Sequence, residues 1–243
     1  MSLQTIWLLT RRELSAYLRT MTGYVIIALA LLIEGLLFNI LSLGTGEKKS
    51  ADVLSNFFWF SSGVTMIASV FISMRLLAEE RQTGTINLLY SSPVRDGEIV
   101  AGKFLSALAF LALLLASTVF MPLLVMVHGK ISLGHIAAGY LGLLLLGGAS
   151  LAIGLLGSAL ARSQVIAVVV STCMVASLIL SWKLASVTER PFSELFTSLA
   201  LWSQHFPPFQ SGVIHLRDVV YFAVVTYVFL FAATRVLEAR RWR

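Results

Sequence analysis

Charge is scarce in this chain, with Asp, Glu, Lys and Arg making up 12% of its 243 residues, against roughly 25% in ordinary globular domains. With 58% hydrophobic residues and a mean hydropathy of +0.87, that shortage argues against a water-soluble globular fold. Cysteine occurs once, at Cys173 inside an apolar run, so no disulfide framework exists and the thiol reads as a small packing group. His128, His135, His205 and His215 are scattered singly without metal-ligand spacing, and are expected to be solvated or capping groups near outer loops. The Gly-Lys pairs Gly102-Lys103 and Gly129-Lys130 precede Phe104 and Ile131. A P-loop needs Ser or Thr there to hold magnesium, so nucleotide hydrolysis through that motif is excluded. No Ser or Cys shares an apolar run with a well-placed His, which removes the basis for an intramembrane hydrolase.

Long apolar runs are what the sequence has. Hydropathy predicts spans over 24–43, 57–77, 104–127, 134–160, 165–184 and 219–237, each of the roughly 20 residues needed to cross a hydrocarbon core. They lack the alternation of a barrel strand, so each is expected to be a helix that satisfies its own backbone. The fold class is therefore an all-α polytopic membrane protein with six transmembrane helices, and an even number places both termini on one side.

Basic residues set the orientation. With the N-terminus cytoplasmic, that side collects Arg11, Arg12, Arg19, Arg75, Arg81, Arg95, Lys103, Arg162, Arg235, Arg240, Arg241 and Arg243, and the other keeps Lys48, Lys49, Lys130, Lys183, Arg190 and Arg217. This two-to-one bias predicts that both termini are cytoplasmic. The net charge of +6 is then an anchoring signal, with no nucleic-acid partner required. Residues 1–22 read as an interfacial elbow helix. Leu3, Trp7, Leu14, Leu18 and Met21 recur near helical spacing, opposite Arg11, Arg12, Glu13 and Arg19. A signal peptide does not fit, because the apolar core begins late, runs too long and lacks a small-residue cleavage site.

The densest polar information lies in EERQTGTINLLYSSPVRDGEIVAGK, from Glu79 to Lys103. Glu79 and Glu80 close the second span. Thr83 or Thr85 caps a short helix with Ile86, Leu88 and Leu89 on its apolar face, and Pro93 stops it. Asp96 and Glu98 start the run into the third span, with Arg95 and Lys103 at the inner surface. The plain alternative is a charged linker.

The order of acidic pair, Gly84-Thr85, Leu88-Leu89, Ser92-Pro93 and Lys103 resembles the signature of the ABC type-2 exporter permeases. The likeness continues through Arg11-Arg12-Glu13-Leu14 with Tyr17 and Thr20, and the turn Arg162-Ser163-Gln164. Further on, His205-Phe206, Phe209, Gly212-Val213-Ile214, Arg217 to Phe222, and Leu237-Glu238 with Arg240-Arg241-Trp242 are similar to the gliding-motility branch. The resemblance implies that residues 78–102 form a cytoplasmic coupling loop docking on an ABC ATPase through Glu79, Glu80, Gly84, Thr85, Asn87, Leu88, Leu89 and Pro93. Asn87 stands where the family often has an acid. The resemblance also implies two ATPase copies that bind ATP and Mg, a second permease chain, identical or related, and an extracytoplasmic auxiliary subunit in some systems. No cofactor is expected on this chain.

Within the spans, Ser150, Gly154 and Ser158 recur every fourth residue of the fourth helix and predict close packing. Glu34 is the acidic residue near the middle of a span, a position that costs roughly 2.5 to 3.5 kcal/mol on insertion scales. It either lines a path or a dimer contact, with Asn39 extending a polar strip, or sits protonated and hydrogen-bonded to a neighbouring helix. The external segment 185–216 is expected to carry a short helix opened by Pro191, with Phe192, Leu195, Phe196 and Leu199 on one face, before Pro207-Pro208 break the chain. It serves as an external re-entrant gate or as an interfacial brace. The whole chain, 1–243, reads as one permease domain lacking catalytic residues and surrounded by membrane lipid. The alternative is a secondary transporter or channel working without a nucleotide-hydrolysing partner.

Overall fold

The computed structural model describes residues 3–43, 49–85, 94–129, 131–189 and 192–241. Among them the ordered elements are all helices: α1 (Leu3–Arg19), α2 (Met21–Leu37), α3 (Ser50–Ser73), α4 (Ala78–Gln82), α5 (Asp96–Thr118), α6 (Phe120–His128), α7 (Leu133–Leu160), α8 (Gln164–Val187), α9 (Phe192–Ser198), α10 (Pro207–Gln210) and α11 (Leu216–Arg241). A π-helical turn, Phe38–Leu43, extends α2. Six helical stretches are long and apolar enough to span a membrane, as the hydropathy reading expects. This is an all-helical polytopic membrane protein.

The fourth span, α7, is the axis of the bundle, with 83% of its apolar window buried, while only 11% of the sixth span's is. Glycines let it get there. A Cβ at Gly139 would strike the Phe58 ring, one at Gly147 would strike Thr65, and one at Gly154 would strike Ser73. These three positions follow α3 down its length, so missing side chains on α7 admit α3 at close range. The predicted Ser150, Gly154 and Ser158 pattern lies in this buried stretch. Ser150 donates to Leu146 O of its own helix at 2.9 Å, whereas Ser158 reaches outward.

Helix breaks have local causes. Pro122 lacks an N–H and crowds the carbonyl four residues earlier, and the third span is interrupted at Val119 between α5 and α6. At the end of α3 the chain turns through Met74–Leu77 before α4. The amides of Leu77 and Ala78 donate to Ser158 Oγ at 3.1 and 2.9 Å, and that hydroxyl donates to Met74 O at 3.2 Å. One serine of α7 therefore satisfies a broken backbone where water is excluded.

α1 packs along α5, and it uses a different face from the one the sequence suggests. Ile6, Thr10 and Tyr17 are buried, while Trp7, Leu18 and Met21 of the predicted apolar face are exposed. Trp7, Leu18 and Met21 are free to meet lipid, Leu14 packs on the core, and the Ile6, Thr10 and Tyr17 side grips the bundle. Gly102 allows that approach, since a Cβ there would meet Leu9 Cβ at 2.8 Å. α1 shares one end of the bundle with α4, the α7–α8 turn and the end of α11, where Arg240 donates to Leu160 O at 2.9 Å. We call this the basic end.

At the opposite end the external segment folds back onto the bundle. Pro207 and Pro208 do not break the chain but open α10, where a missing N–H costs nothing. Gly212, at φ +81°, makes the left-handed exit from the turn that follows. The expectation of four solvated or capping histidines fails at His205, which is buried, with Nδ1 2.7 Å from Asp218 Oδ1 and its ring stacked on Tyr221 at 3.7 Å. His135 Nε2 lies 2.9 Å from Gln210 O. Phe209 fills the space opposite Gly142 and packs on Phe222 at 6.3 Å. Folding the segment across α3, α7 and α11 is what buries these polar groups in pairs.

Replacing Ser158 with Ala leaves two buried amides without their acceptor, which costs about 1–3 kcal/mol. Thermal unfolding of the detergent-solubilised protein, followed by tryptophan fluorescence, should show a lowered midpoint. An unchanged midpoint would mean the turn is satisfied by other groups.

Candidate functional site

The charged groups that the composition withholds from the spans gather at the basic end around α4. Helix α4 begins with Ala78, Glu79, Glu80 and continues through Arg81 and Gln82. Glu79 stands four residues after Arg75, one helical turn on, and the two form a forked pair at 2.7 and 3.1 Å. The same guanidinium also hydrogen-bonds the hydroxyls of Thr20 and Thr22 at the α1–α2 junction.

Glu80 points the other way, to Lys103 of α5. That ammonium is buried, 4% exposed, 2.8 Å from Glu80 Oε1 and 3.4 Å from Glu13 Oε1 of α1. Two carboxylates from different elements thus share one shielded cation, an attraction that water screens little and that offsets the cost of taking the ammonium out of water. Tyr17 completes the junction. Its hydroxyl donates to Ile72 O at 2.9 Å, and burial, then the nearby Glu13, raises its pKa above the usual phenol range so that it stays a neutral donor.

α4 is also tied to the turn between α7 and α8. Arg81 donates to Ala161 O at 2.9 Å, and the Gln164 amide donates to Gln82 Oε1 at 3.4 Å. With Ser158 holding the preceding turn, α4 connects three otherwise separate parts: the surface helix α1, the third span, and the turn joining the fourth and fifth spans. Beyond it, Thr83 and Thr85 donate to Glu79 O and Glu80 O at 2.9 and 3.3 Å, closing α4, and Gly84 at φ +74° turns the chain away. Next to these residues is a cavity of about 570 Å³ lined by Arg12, Glu13, Tyr17, Arg75, Glu79, Glu80, Thr83, Thr85 and Lys103, among others.

The structure thus brings Glu79, Glu80, Gly84 and Thr85 together, and joins them to Ser158, which the sequence suggested only for helix packing. Asn87, Leu88, Leu89 and Pro93, with the short helix expected over 86–93, lie outside the described residues. Glu34 and Asn39 are elsewhere and do not share a face: Glu34 is completely buried inside the bundle and Asn39 is exposed. The expected polar strip is therefore absent, and Glu34 does not lie on an outer surface where a second chain would meet it. Sequence reasoning passed over the pairing roles of Glu13, Tyr17 and Arg75. The spacing of Arg75 and Glu79 was a legible signal for one of these; the meeting of Glu13 with Lys103 depends on tertiary packing.

No group of His, Cys, Asp and Glu capable of holding a metal ion occurs among the described residues. The fold is a six-span helical bundle with a cluster of paired charges around one short helix at its end. Residues 57–211 match the family model described as "ABC-2 family transporter protein", and the chain belongs to that family. No curated protein matches it. Proteins of this family are the permease subunits of ABC transporters; they dimerise and associate with a cytoplasmic ABC ATPase that is a separate subunit.

The shared buried cation makes a testable demand. Lys103→Met removes the cation shared by Glu80 and Glu13, of which Glu13 keeps Arg12 at 3.4 Å, and breaking a buried pair in this way costs up to about 3–5 kcal/mol. The triple variant K103M/E13Q/E80Q should recover most of the loss in a thermal melt. Equal melts for all three proteins would show that the ammonium contributes nothing net.

Proposed function

We propose that this chain couples ATP hydrolysis by its partner to outward movement of cargo, or to force on an extracytoplasmic partner, through α4 and the segment that follows it. The observation carrying this reading is the convergence on α4 of Lys103, Glu13, Arg75 and Ser158. A push on 78–102 reaches α1 through Glu80, Lys103 and Glu13, and reaches the central helix through Ser158. The segment 84–92 is the part that docks on the ATPase, with Asn87, Leu88 and Leu89 at the contact and Pro93 ending it.

In this reading the basic end faces the cytoplasm of a bacterial cell, where two ATPase subunits bind ATP and Mg, and a second permease chain, identical or related, completes the path. The Lys and Arg bias supports that orientation, and the exposed Trp7 and Leu18 suit α1 to the inner membrane surface. The whole chain acts as one permease domain. The gliding-motility branch is the subgroup it fits best. His205, Phe209, Asp218, Tyr221 and Phe222 carry that likeness, and they pack as one cluster beneath the external segment.

The test is affinity purification in mild detergent from the native host, with mass spectrometry and ATPase assay of the eluate. A P-loop subunit should co-purify. Replacing Leu88 and Leu89 with Asp should leave membrane insertion intact while reducing ATPase association or transport-linked turnover at least tenfold, on the order of the loss of one interfacial anchor. Recovery of the permease free of any ATPase from gently treated membranes would shift the assignment to a secondary transporter or channel.

A further inference from the structure

The cavity beside α4, of about 570 Å³, lies in the size range of small-ligand sites, roughly 300–1,000 Å³. Its α1 wall is Leu9, Arg12, Glu13 and Ala16, which recur at i, i+3, i+4 and i+7 and so form one stripe. Trp7 and Leu18, exposed and suited to lipid, lie on the opposite side of the same helix. With those two residues in the membrane surface, the cavity faces away from the bilayer, on the aqueous side of α1. Its occupant then comes from water.

The polar groups on the walls are unequally spent. Most donors are engaged: every nitrogen of Arg75 bonds Glu79, Thr20 or Thr22, and Lys103 holds Glu80 and Glu13. The hydroxyls of Thr83 and Thr85 donate to Glu79 O and Glu80 O. Arg12 is the exception, and its side chain is 68% exposed. The acceptors keep spare capacity. Glu80 Oε2 is shielded and has no hydrogen-bond partner, and among the described residues Glu13 offers Oε1 alone to both Arg12 and Lys103. Three carboxylates, of Glu13, Glu79 and Glu80, thus face two shielded cations, Arg75 and Lys103. The complement of such a wall is a positive group that carries several N–H donors. The acids form no metal-binding group among the described residues, so the fit is to an organic cation. Leu9, Val94 and Ile99 supply apolar surface for its stem.

We propose that this cavity binds an alkyl-guanidinium or alkyl-ammonium group from the aqueous side, with the charged head at Glu13 and Glu80 and the stem along Leu9 and Ile99. The arriving head adds a second cation to two carboxylates that now share one, and ties α1 to α4. The inference rests on the coupling reading, in which α4 is where the motion of the ATPase enters. The same chemistry is offered by a basic side chain of the ATPase and by a free amine or guanidine of the cytoplasm.

The probe is butylguanidinium, titrated calorimetrically into the full chain in phosphatidylcholine nanodiscs without the ATPase. Saturable one-to-one binding is expected, weakened by added salt, with the neutral isostere butylurea binding at least about tenfold more weakly. Glu13→Gln should lower affinity about tenfold, the loss of one charge-assisted hydrogen bond. Ala16→Leu fills the cavity without removing a charge or a good helix former from α1, and should abolish binding at an unchanged melting midpoint. No saturable binding, equal affinity for butylurea, or unaltered affinity in A16L would each overturn the proposal. Repeating the titration on the ATPase-bound complex separates the sources: a site blocked there is filled by an ATPase side chain, and a site that still binds is kept for a free solute. The nanodisc measurement needs no ATPase, so its failure is separable from failure of the coupling reading, which co-purification tests.

Discussion

The seating of α3 side chains in the glycine positions of α7 is the constraint on which the rest of the molecule depends. Gly139, Gly147 and Gly154 remove the atoms that would hold the helices apart, and Ser158 continues the same line to the break at Met74–Leu77. A helix can be broken near the membrane only where another group supplies the lost hydrogen bonds. Ser158 supplies them, so the chain can leave α3 and re-form as α4 at a defined place. Were α7 further from α3, that turn would lose its cap and α4 its anchor.

Because α4 is placed in this way, its charges can be used in pairs. Glu79 faces Arg75 and the α1–α2 junction; Glu80 faces Lys103 and, through it, Glu13. Long side chains hold such geometry only when their surroundings restrict them, and burial of Lys103 does this while weakening the screening that makes exposed ion pairs nearly worthless. The opposite end uses a buried imidazole–carboxylate contact and aromatic stacking instead, with His205, Asp218 and Tyr221 holding the external segment to the sixth span.

Much of the fold was legible in order of residues alone. Each apolar run had to be a helix, since no other open structure satisfies its backbone in lipid, and all six appear. One local signal was also read directly: Ser150, Gly154 and Ser158 as small residues at a spacing of four in a buried helix. The candidate site was only half visible. Glu79, Glu80, Gly84 and Thr85 stood out as a polar island, yet their partners Glu13 and Arg75 looked like ordinary basic-end charges, and Ser158 like packing. His205 looked like an isolated loop histidine because its partner Asp218 comes later in the chain and is reached only when α10 folds back.

The sequence by itself determined that this chain has six helices able to span a membrane and keeps its charges outside them with the basic residues biased to one side, because burying a bare backbone or an unpaired charge in hydrocarbon costs more than any local preference returns. Helix boundaries were only partly local: Pro207-Pro208, expected to break the chain, open α10 instead, and the third span breaks at Val119. Tertiary structure decided which face of α1 grips the bundle, that Glu34 points inward while Asn39 points out, and that one lysine serves two acids. Those are questions of which helix lies beside which. They are decided by steric fit between surfaces distant in the chain, and no local spacing encodes that fit.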